Sequence, residues 1–219
     1  MMRKIGLTIM GCLLGLLMVQ GFVSAATEAD RERLLKAKGQ VPAEVVRVID
    51  ADTVVVNAEP WPDVIISKIS VRINAVDTPE KAGSGCVMHY RALGQAVPEA
   101  IKQQENRLGC AATAFVAGSD KLKRSTCKAL RDSGAIPKQP GLLRPGDWVV
   151  LRGLKAGKYA QRVVGEMLYP IADDKGGLVL ESLGDRLIRE NLAVPYDGGT
   201  KDAWWCSPIE GGEGAGISR

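Results

Sequence analysis

The chain has 219 residues, of which 46% are hydrophobic and 25% are charged, and its formal net charge is +4 at pH 7. This length supports one domain with a substantial core and argues against two. The weak positive charge suits a polyanionic partner, but a solvated surface of mixed charges gives the same value. Net charge alone therefore does not distinguish a polyanion-binding protein from one without such a partner.

The N-terminus has the features of a secretory signal peptide. Arg3 and Lys4 precede an apolar run from Ile5 to Val23, and Val23 and Ala25 supply the small residues of a cleavage site. We therefore predict a signal peptide at residues 1–25 and an exported protein, periplasmic or secreted, without stable membrane association after cleavage. The apolar run is long for a signal peptide, so an uncleaved membrane anchor is the alternative.

The mature chain opens with a charged segment, residues 26–42, which we interpret as an N-terminal extension. Valine-rich runs on both sides of Asp50–Thr53 predict two strands joined by a turn, and the second strand is expected to break at Pro60–Asp63. The alternation from Ile65 to Ala75 predicts a third strand, with Arg72 on the face opposite the core. The residues expected on its core face are Ile65, Ile69, Val71, Ile73 and Ala75.

Residues 81–135 predict two or three short helices, which Pro98, Gly118 and Gly134 interrupt, and a Pro- and Gly-rich connector spans residues 137–145. Further along the chain, Asp147–Leu151 and Val163–Tyr169 predict strands, and Leu178–Ala193 predicts an amphipathic helix.

The resulting order of strands, helices, strands and a helix predicts an α+β fold, a small antiparallel barrel with packed helices. We expect this domain to span residues 43–205, with a helical insertion around residues 82–145. A Gly-rich tail at residues 206–219 follows it.

Four cysteines remain after the predicted cleavage site, and an even number in an exported chain predicts two disulfides. They are Cys86, Cys110, Cys127 and Cys206. Three pairings are possible, and the sequence does not choose among them. A zinc site with His89, the sole histidine, is the rival interpretation, but the spacing matches no standard zinc pattern.

Residues suited to phosphodiester chemistry occur in three separate motifs. Asp50-Ala51-Asp52-Thr53 places two carboxylates on one side of an extended chain, where they suit a hard cation. The stretch from Arg72 to Glu80 adds a guanidinium and two carboxylates, and Lys158–Arg162 adds cations that suit a phosphate. Each motif alone also fits a structural role, as a hairpin turn, a helix cap at Asp77 or the start of a strand.

Together and in this order, the motifs Asp-x-Asp-Thr, Arg-x4-Asp-Thr-Pro-Glu and Lys-Tyr-x-x-Arg resemble the staphylococcal nuclease family. The segment Leu183–Ala193 also resembles a late helix of that family. The resemblance runs from about Val45 to Tyr196, with an unmatched stretch around residues 82–145. It implies a five-stranded OB-type barrel with helices, and a Ca²⁺-dependent nuclease that cleaves DNA and RNA and leaves 3′-phosphates.

The resemblance implies a Ca²⁺ site made of oxygen ligands. Asp52 and Asp77 would bind the ion through their carboxylates, and Thr78 would bind it through its backbone carbonyl. Asp50 would support these ligands without binding the ion. Calcium prefers such oxygen ligands and tolerates bound waters, so the set is chemically coherent.

The same resemblance implies roles in catalysis and substrate binding. Arg72 and Arg162 would hold the scissile phosphate, and Glu80 would take the proton of the attacking water as general base. The residues that would contact the nucleic acid substrate are Lys158, Tyr159 and Tyr196.

Two features of the motifs predict local backbone irregularities. The family usually has glycine at position 51, so Ala51 would be strained in a turn that needs positive φ. Arg72 and Asp77 are five residues apart and would face opposite ways on a regular strand, so we predict a bend or bulge between them.

Two further function classes remain open on the sequence alone. One is a catalytically silent barrel of the same fold that binds nucleic acid or a protein partner in the cell envelope. The other is a structural envelope protein that an uncleaved N-terminal helix anchors. Because every ionisable residue of the motif set has a counterpart in this chain, the sequence favours the enzyme, acting as a monomer. Its preference for DNA or RNA, and for chain ends or interiors, stays open.

Overall fold

The computed structural model describes residues 39–158, 162–198 and 204–208. The predicted signal peptide 1–25, most of the predicted extension 26–42, Tyr159 and most of the predicted tail 206–219 lie outside the described residues. Among the helices that the structure describes, none is both long and apolar enough to cross a membrane.

Within the described ranges the chain forms eight strands and four α-helices. In chain order they are β1 (Gln40–Asp50), β2 (Thr53–Trp61), β3 (Val64–Ile73), β4 (Val76–Asp77), α1 (Ser84–Ala92), α2 (Glu99–Ala117), α3 (Ser125–Asp132), β5 (Trp148–Ala156), β6 (Arg162–Ala172), β7 (Leu178–Ser182), α4 (Leu183–Arg189) and β8 (Val194–Pro195).

Five of the strands close into a barrel. Strand β1 pairs antiparallel with β2 and β5, β2 pairs with β3, and β5 pairs with β6. A parallel pairing of β3 with β6 completes the ring. The fold is therefore α+β with a closed five-stranded barrel. The barrel is mixed rather than antiparallel as predicted, because β3 and β6 run in the same direction.

Branched aliphatic side chains fill the barrel because valine fits a pleated and buried surface. One hydrophobic cluster joins the barrel interior to the two helices α2 and α4. Its members include Val45, Val54, Val56, Val71, Leu151 and Met167 from the strands, with Ala112 and Val116 from α2 and Leu183 and Leu187 from α4. The two helices are thereby fixed relative to the strands that carry the predicted site residues.

The predicted helical segment forms three helices, and its breaks are confirmed. Pro98 precedes α2, Gly118 ends it, and Gly134 follows α3. The connector 137–145 contains neither a helix nor an extended strand. The helix α2 is longer than the short helices expected, because its small buried residues pack directly on the barrel.

Two predicted elements are wrong in part. Residues 178–182 form β7 rather than the first turns of a helix, because they pair with the outer edge of β6, and α4 begins only at Leu183. Strand β2 continues through Pro60 and Trp61, and its break follows at Pro62 and Asp63, inside the predicted range. Ile65 and Ala75 were expected in the core and are exposed. Ile65 precedes the part of β3 that packs on the barrel core, which starts at Ile69, and Ala75 lies in the turn after β3.

Two disulfides join the four cysteines, as Cys86–Cys206 and Cys110–Cys127. All four side chains are buried, and their pairing excludes the rival zinc site. Trp205 packs with Cys86 and Cys206 in a separate cluster against α1 and α2, so the folded part includes Cys206. Two disulfides are compatible with an oxidising, exported environment.

The two disulfides should contribute unequally to stability. Cys86–Cys206 closes a separation of 120 residues and Cys110–Cys127 one of 17. We expect the variant C86S/C206S to lose about 1.7 kcal/mol more free energy of unfolding than C110S/C127S, because the longer loop gains more chain entropy on release. Urea denaturation of both variants measures the difference. Equal losses would show that chain entropy does not govern these bonds.

Candidate functional site

The guanidinium of Arg72 bridges two buried carboxylates. One of its terminal nitrogens lies 2.9 Å from Asp52 Oδ2, and the other lies 3.1 Å from Asp77 Oδ1. Asp52 and Asp77 are each only 3% exposed, whereas the Arg72 side chain remains 22% exposed. The structure thus brings three predicted site residues from separate parts of the sequence into direct contact.

Strand register explains the contact between Asp52 and Arg72. Asp52 occupies the turn between β1 and β2, and the next residue, Thr53, pairs with Arg72 across β2 and β3. The amide of Ile73 also donates a 2.8 Å hydrogen bond to the Asp52 carbonyl. Ala51 is buried and is not among the described residues with positive φ, so the expected strain at this turn does not occur.

A turn at Asn74–Ala75 brings Asp77 to the same side as Arg72. It separates β3 from β4, and Ala75 has a φ of 60°, a left-handed conformation that is uncommon for alanine. This turn confirms the bend predicted from the five-residue spacing. Pairing of β4 with β8 then holds Asp77 opposite Val194, and the Tyr196 amide donates to the Ala75 carbonyl at 2.9 Å.

Burial and hydrogen bonding act in opposite directions on Asp52. Burial raises the pKa of this carboxyl above its ordinary value, because desolvation disfavours the charged form. The positive charge of Arg72 and hydrogen bonds from Thr53 and Thr78 lower the pKa, but burial outweighs them. The carboxylate is therefore held at an energetic cost, which is typical of functional sites.

A groove of about 540 Å³ opens beside this charge cluster. Its lining combines three cationic residues with an aromatic side chain; it includes Arg72, Asn74, Lys158, Arg162, Tyr196 and Asp197. The parallel pairing of β3 with β6 sets Arg162 opposite Ser70 on the strand beside Arg72. The predicted phosphate-binding and substrate-contacting residues that are described thus share one surface.

Glu80 lies at a second cavity that adjoins the groove at Tyr196. Its backbone is held by Glu105 of α2, which is only 1% exposed. One oxygen of Glu105 accepts a hydrogen bond from the Glu80 amide at 3.2 Å, and the other accepts from the Cys86 amide at 2.9 Å. A single buried carboxylate therefore positions both Glu80 and the start of α1.

Close packing of α2 fixes the same loop at further points. A Cβ at Gly109 would lie 2.5 Å from the Pro79 carbonyl oxygen, so the helix and loop backbones approach closely only because the side chain is absent. The side-chain amide of Asn106 donates to the backbone carbonyl of Lys81, and the Lys81 ammonium lies 2.9 Å from Asp50 Oδ1. Asp50 thus pairs with this lysine, while Asp52 faces Arg72.

Sequence reasoning did not identify Glu105 as a site residue. The sequence feature that could have identified Glu105 is its spacing, four residues after Ile101 and four before Gly109. This spacing puts its carboxylate on the buried face of an amphipathic helix. A charged residue there requires polar partners. The Glu80 and Cys86 amides supply them.

No set of three or more His, Cys, Asp or Glu side chains suited to a metal occurs in the described residues. The candidate cation site has two carboxylates, from Asp52 and Asp77, beside the buried Thr78. No protein-family model matches the chain, and no curated protein matches it significantly.

Removing one acceptor from Glu105 should loosen the Glu80 loop. We expect Glu105→Gln to cost about 1–3 kcal/mol of unfolding free energy, because one buried amide loses its acceptor. Hydrogen–deuterium exchange at the backbone amide of Glu80 or Cys86 should become faster. Glu99→Gln, on the exposed start of the same helix, is the matched control and should change neither quantity. Unchanged exchange in Glu105→Gln would contradict the positioning role.

The raised pKa of Asp52 should make stability depend on pH in a defined direction. Above the ordinary value of 3.8 the folded state retains a proton that the unfolded state has released, so stability falls as pH rises through this interval. We expect the unfolding free energy of the wild type, relative to Asp52→Asn, to decrease as pH increases from about 4 towards the folded pKa. Denaturation curves across this range test it, and a rising difference would refute the assignment.

Proposed function

We propose that this protein is an exported nuclease of the staphylococcal nuclease type that hydrolyses phosphodiester bonds of DNA or RNA with Ca²⁺. The observation that carries this proposal is the contact of Asp52 and Asp77 with Arg72, which lines the same groove as Lys158 and Arg162. A closed five-stranded barrel with helices agrees with the OB-type architecture implied by the sequence motifs.

The chemistry of the site fits a hard divalent cation. Asp52 and Asp77 would supply carboxylate oxygens, and Thr78 would supply its backbone carbonyl, a ligand set that leaves positions for water. The cost of burying Asp52 as an anion is the cost that a bound cation would offset. When bound, Ca²⁺ would orient a water molecule and offset phosphate charge.

The remaining residues would bind the phosphodiester and activate the attacking water. Arg72 and Arg162 would hydrogen-bond the phosphate oxygens as negative charge develops on them, since a guanidinium offers several donors in a fixed plane. Glu80 would accept the proton of the attacking water. Lys158 and Tyr196 would bind the flanking nucleic acid from the lining of the groove.

The protein would work outside the cytoplasm as a monomer. The predicted signal peptide at 1–25 and the two disulfides both fit the periplasm or the extracellular medium. The disulfide Cys86–Cys206 joins α1, which borders Glu80, to the short segment Trp204–Cys206. Oxidising conditions would therefore stabilise the site itself.

Digestion of DNA and RNA by the purified, disulfide-bonded protein tests the proposal. We expect cleavage with Ca²⁺ and none in EDTA. Glu80→Gln should lower the rate about 100-fold or more, because it removes the general base. Arg72→Lys should also reduce it strongly, because lysine cannot make the paired contacts of a guanidinium.

The matched controls are Glu99→Gln and Arg152→Lys. Arg152 makes two hydrogen bonds with Glu166 on the barrel surface. Arg152→Lys therefore alters an arginine–carboxylate pair as Arg72→Lys does, but at a position that does not line the groove. Both controls should retain full activity. Undiminished cleavage in EDTA would remove the calcium mechanism, and binding of nucleic acid without any cleavage would favour the catalytically silent module instead.

A further inference from the structure

The cavity beside Glu80 is separate from the cationic groove and differs from it in chemistry. It measures about 330 Å³, near the lower end of the range for small-molecule sites. Its walls come from α1 on one side and from Tyr196 on the other; they include Glu80, Gly85, Met88, His89, Ala92 and Tyr196. Apart from Glu80, the lining is dominated by apolar and aromatic surface.

Met88 and the two aromatic rings suit a flat, polarisable ligand. Met88 is 70% exposed, so its thioether is accessible to a ligand in the cavity. Thioether sulfur packs favourably against aromatic rings. The rings of His89 and Tyr196 offer faces on which a nucleobase can stack.

Tyr196 connects this cavity to the phosphate-binding groove, because its side chain lines both. A nucleic acid strand carries a base on every nucleotide between successive phosphates. A phosphate held by Arg72 and Arg162 in the groove would therefore bring a neighbouring base to the cavity past Tyr196. The charge of the groove and the apolar character of the cavity match these two parts of one ligand.

The α1 wall of the cavity is rigid. The disulfide Cys86–Cys206 and the hydrogen bond from the Cys86 amide to Glu105 fix its first turn. At Gly85 a Cβ would lie 2.4 Å from a carboxylate oxygen of Glu105, so a larger residue there would displace the carboxylate that supports the helix. Such a wall can select a ring by shape without first becoming ordered.

We propose that this cavity is a nucleobase subsite that receives one unstacked base next to the phosphate bound in the groove. The inference rests on the proposed nuclease function and adds α1, with Met88 and His89, to the substrate-binding surface. Binding of nucleic acid would then depend on the bases as well as on the backbone charge.

A binding experiment with two matched ligands tests the subsite. One ligand is a short fluorescein-labelled oligothymidylate, and the other is the same backbone with tetrahydrofuran in place of every base. Fluorescence anisotropy is measured with Ca²⁺ on the Glu80→Gln protein, so that cleavage does not consume the ligand. We expect the oligothymidylate to bind about tenfold more tightly than the abasic backbone.

The double substitution M88A/H89A should abolish most of this difference while leaving binding of the abasic backbone unchanged. Leu93→Ala is the control, since Leu93 is a 58% exposed apolar residue just beyond α1 that does not line the cavity. It should preserve the base-dependent difference. Unfolding curves of each variant confirm that the fold is retained.

The outcomes separate the two proposals. Equal affinity for the two ligands, or a base-dependent difference that survives M88A/H89A, would overturn the subsite even if the protein cleaves DNA. Base-dependent binding that M88A/H89A removes would establish the subsite even if no Ca²⁺-dependent cleavage is found, in which case only the nuclease proposal fails. Absence of any nucleic acid binding would overturn both.

Discussion

The contact of Arg72 with Asp52 and Asp77 is the interaction on which the rest of the site depends. Burying two carboxylates, each only 3% exposed, is costly without an opposite charge beside them, and the Arg72 guanidinium supplies that charge. A cation bound to the same carboxylates would take over that charge balance. Under the proposed function, the donors of Arg72 would then be available to a phosphate.

The helix α2 provides the mechanical support for this arrangement. It contributes to the barrel core through Ala112 and Val116, while Glu105 and Gly109 on its remaining buried surface hold the loop that carries Glu80. The loop is therefore fixed to the same body as the strands of Asp52 and Arg72. A side chain placed this way loses little entropy when a ligand binds, which is the advantage of building a site on rigid elements.

Much of the fold could be predicted from the sequence because its signals are local. Valine alternation marks strands, and proline and glycine mark breaks. The spacing of Arg72 and Asp77 required a bend, but its location at Ala75 could not be foreseen, since alanine rarely adopts positive φ. Residues 178–182 were misassigned because a short apolar run suits a helix or a strand, and only pairing with β6 decides. The disulfide pairing likewise depends on the tertiary fold.

The helical insertion around residues 82–145 divides into two parts with different relations to the site. The disulfide Cys110–Cys127 joins α2 to α3 in a hydrophobic cluster that contains none of the residues of the groove or the cavity. The disulfide Cys86–Cys206 instead fixes α1, which forms a wall of the cavity at Glu80. A helix fixed in this way presents a preformed surface that need not become ordered when a ligand binds. The α1 part of the insertion thus borders the cavity at Glu80, and the α3 part packs in a cluster apart from it.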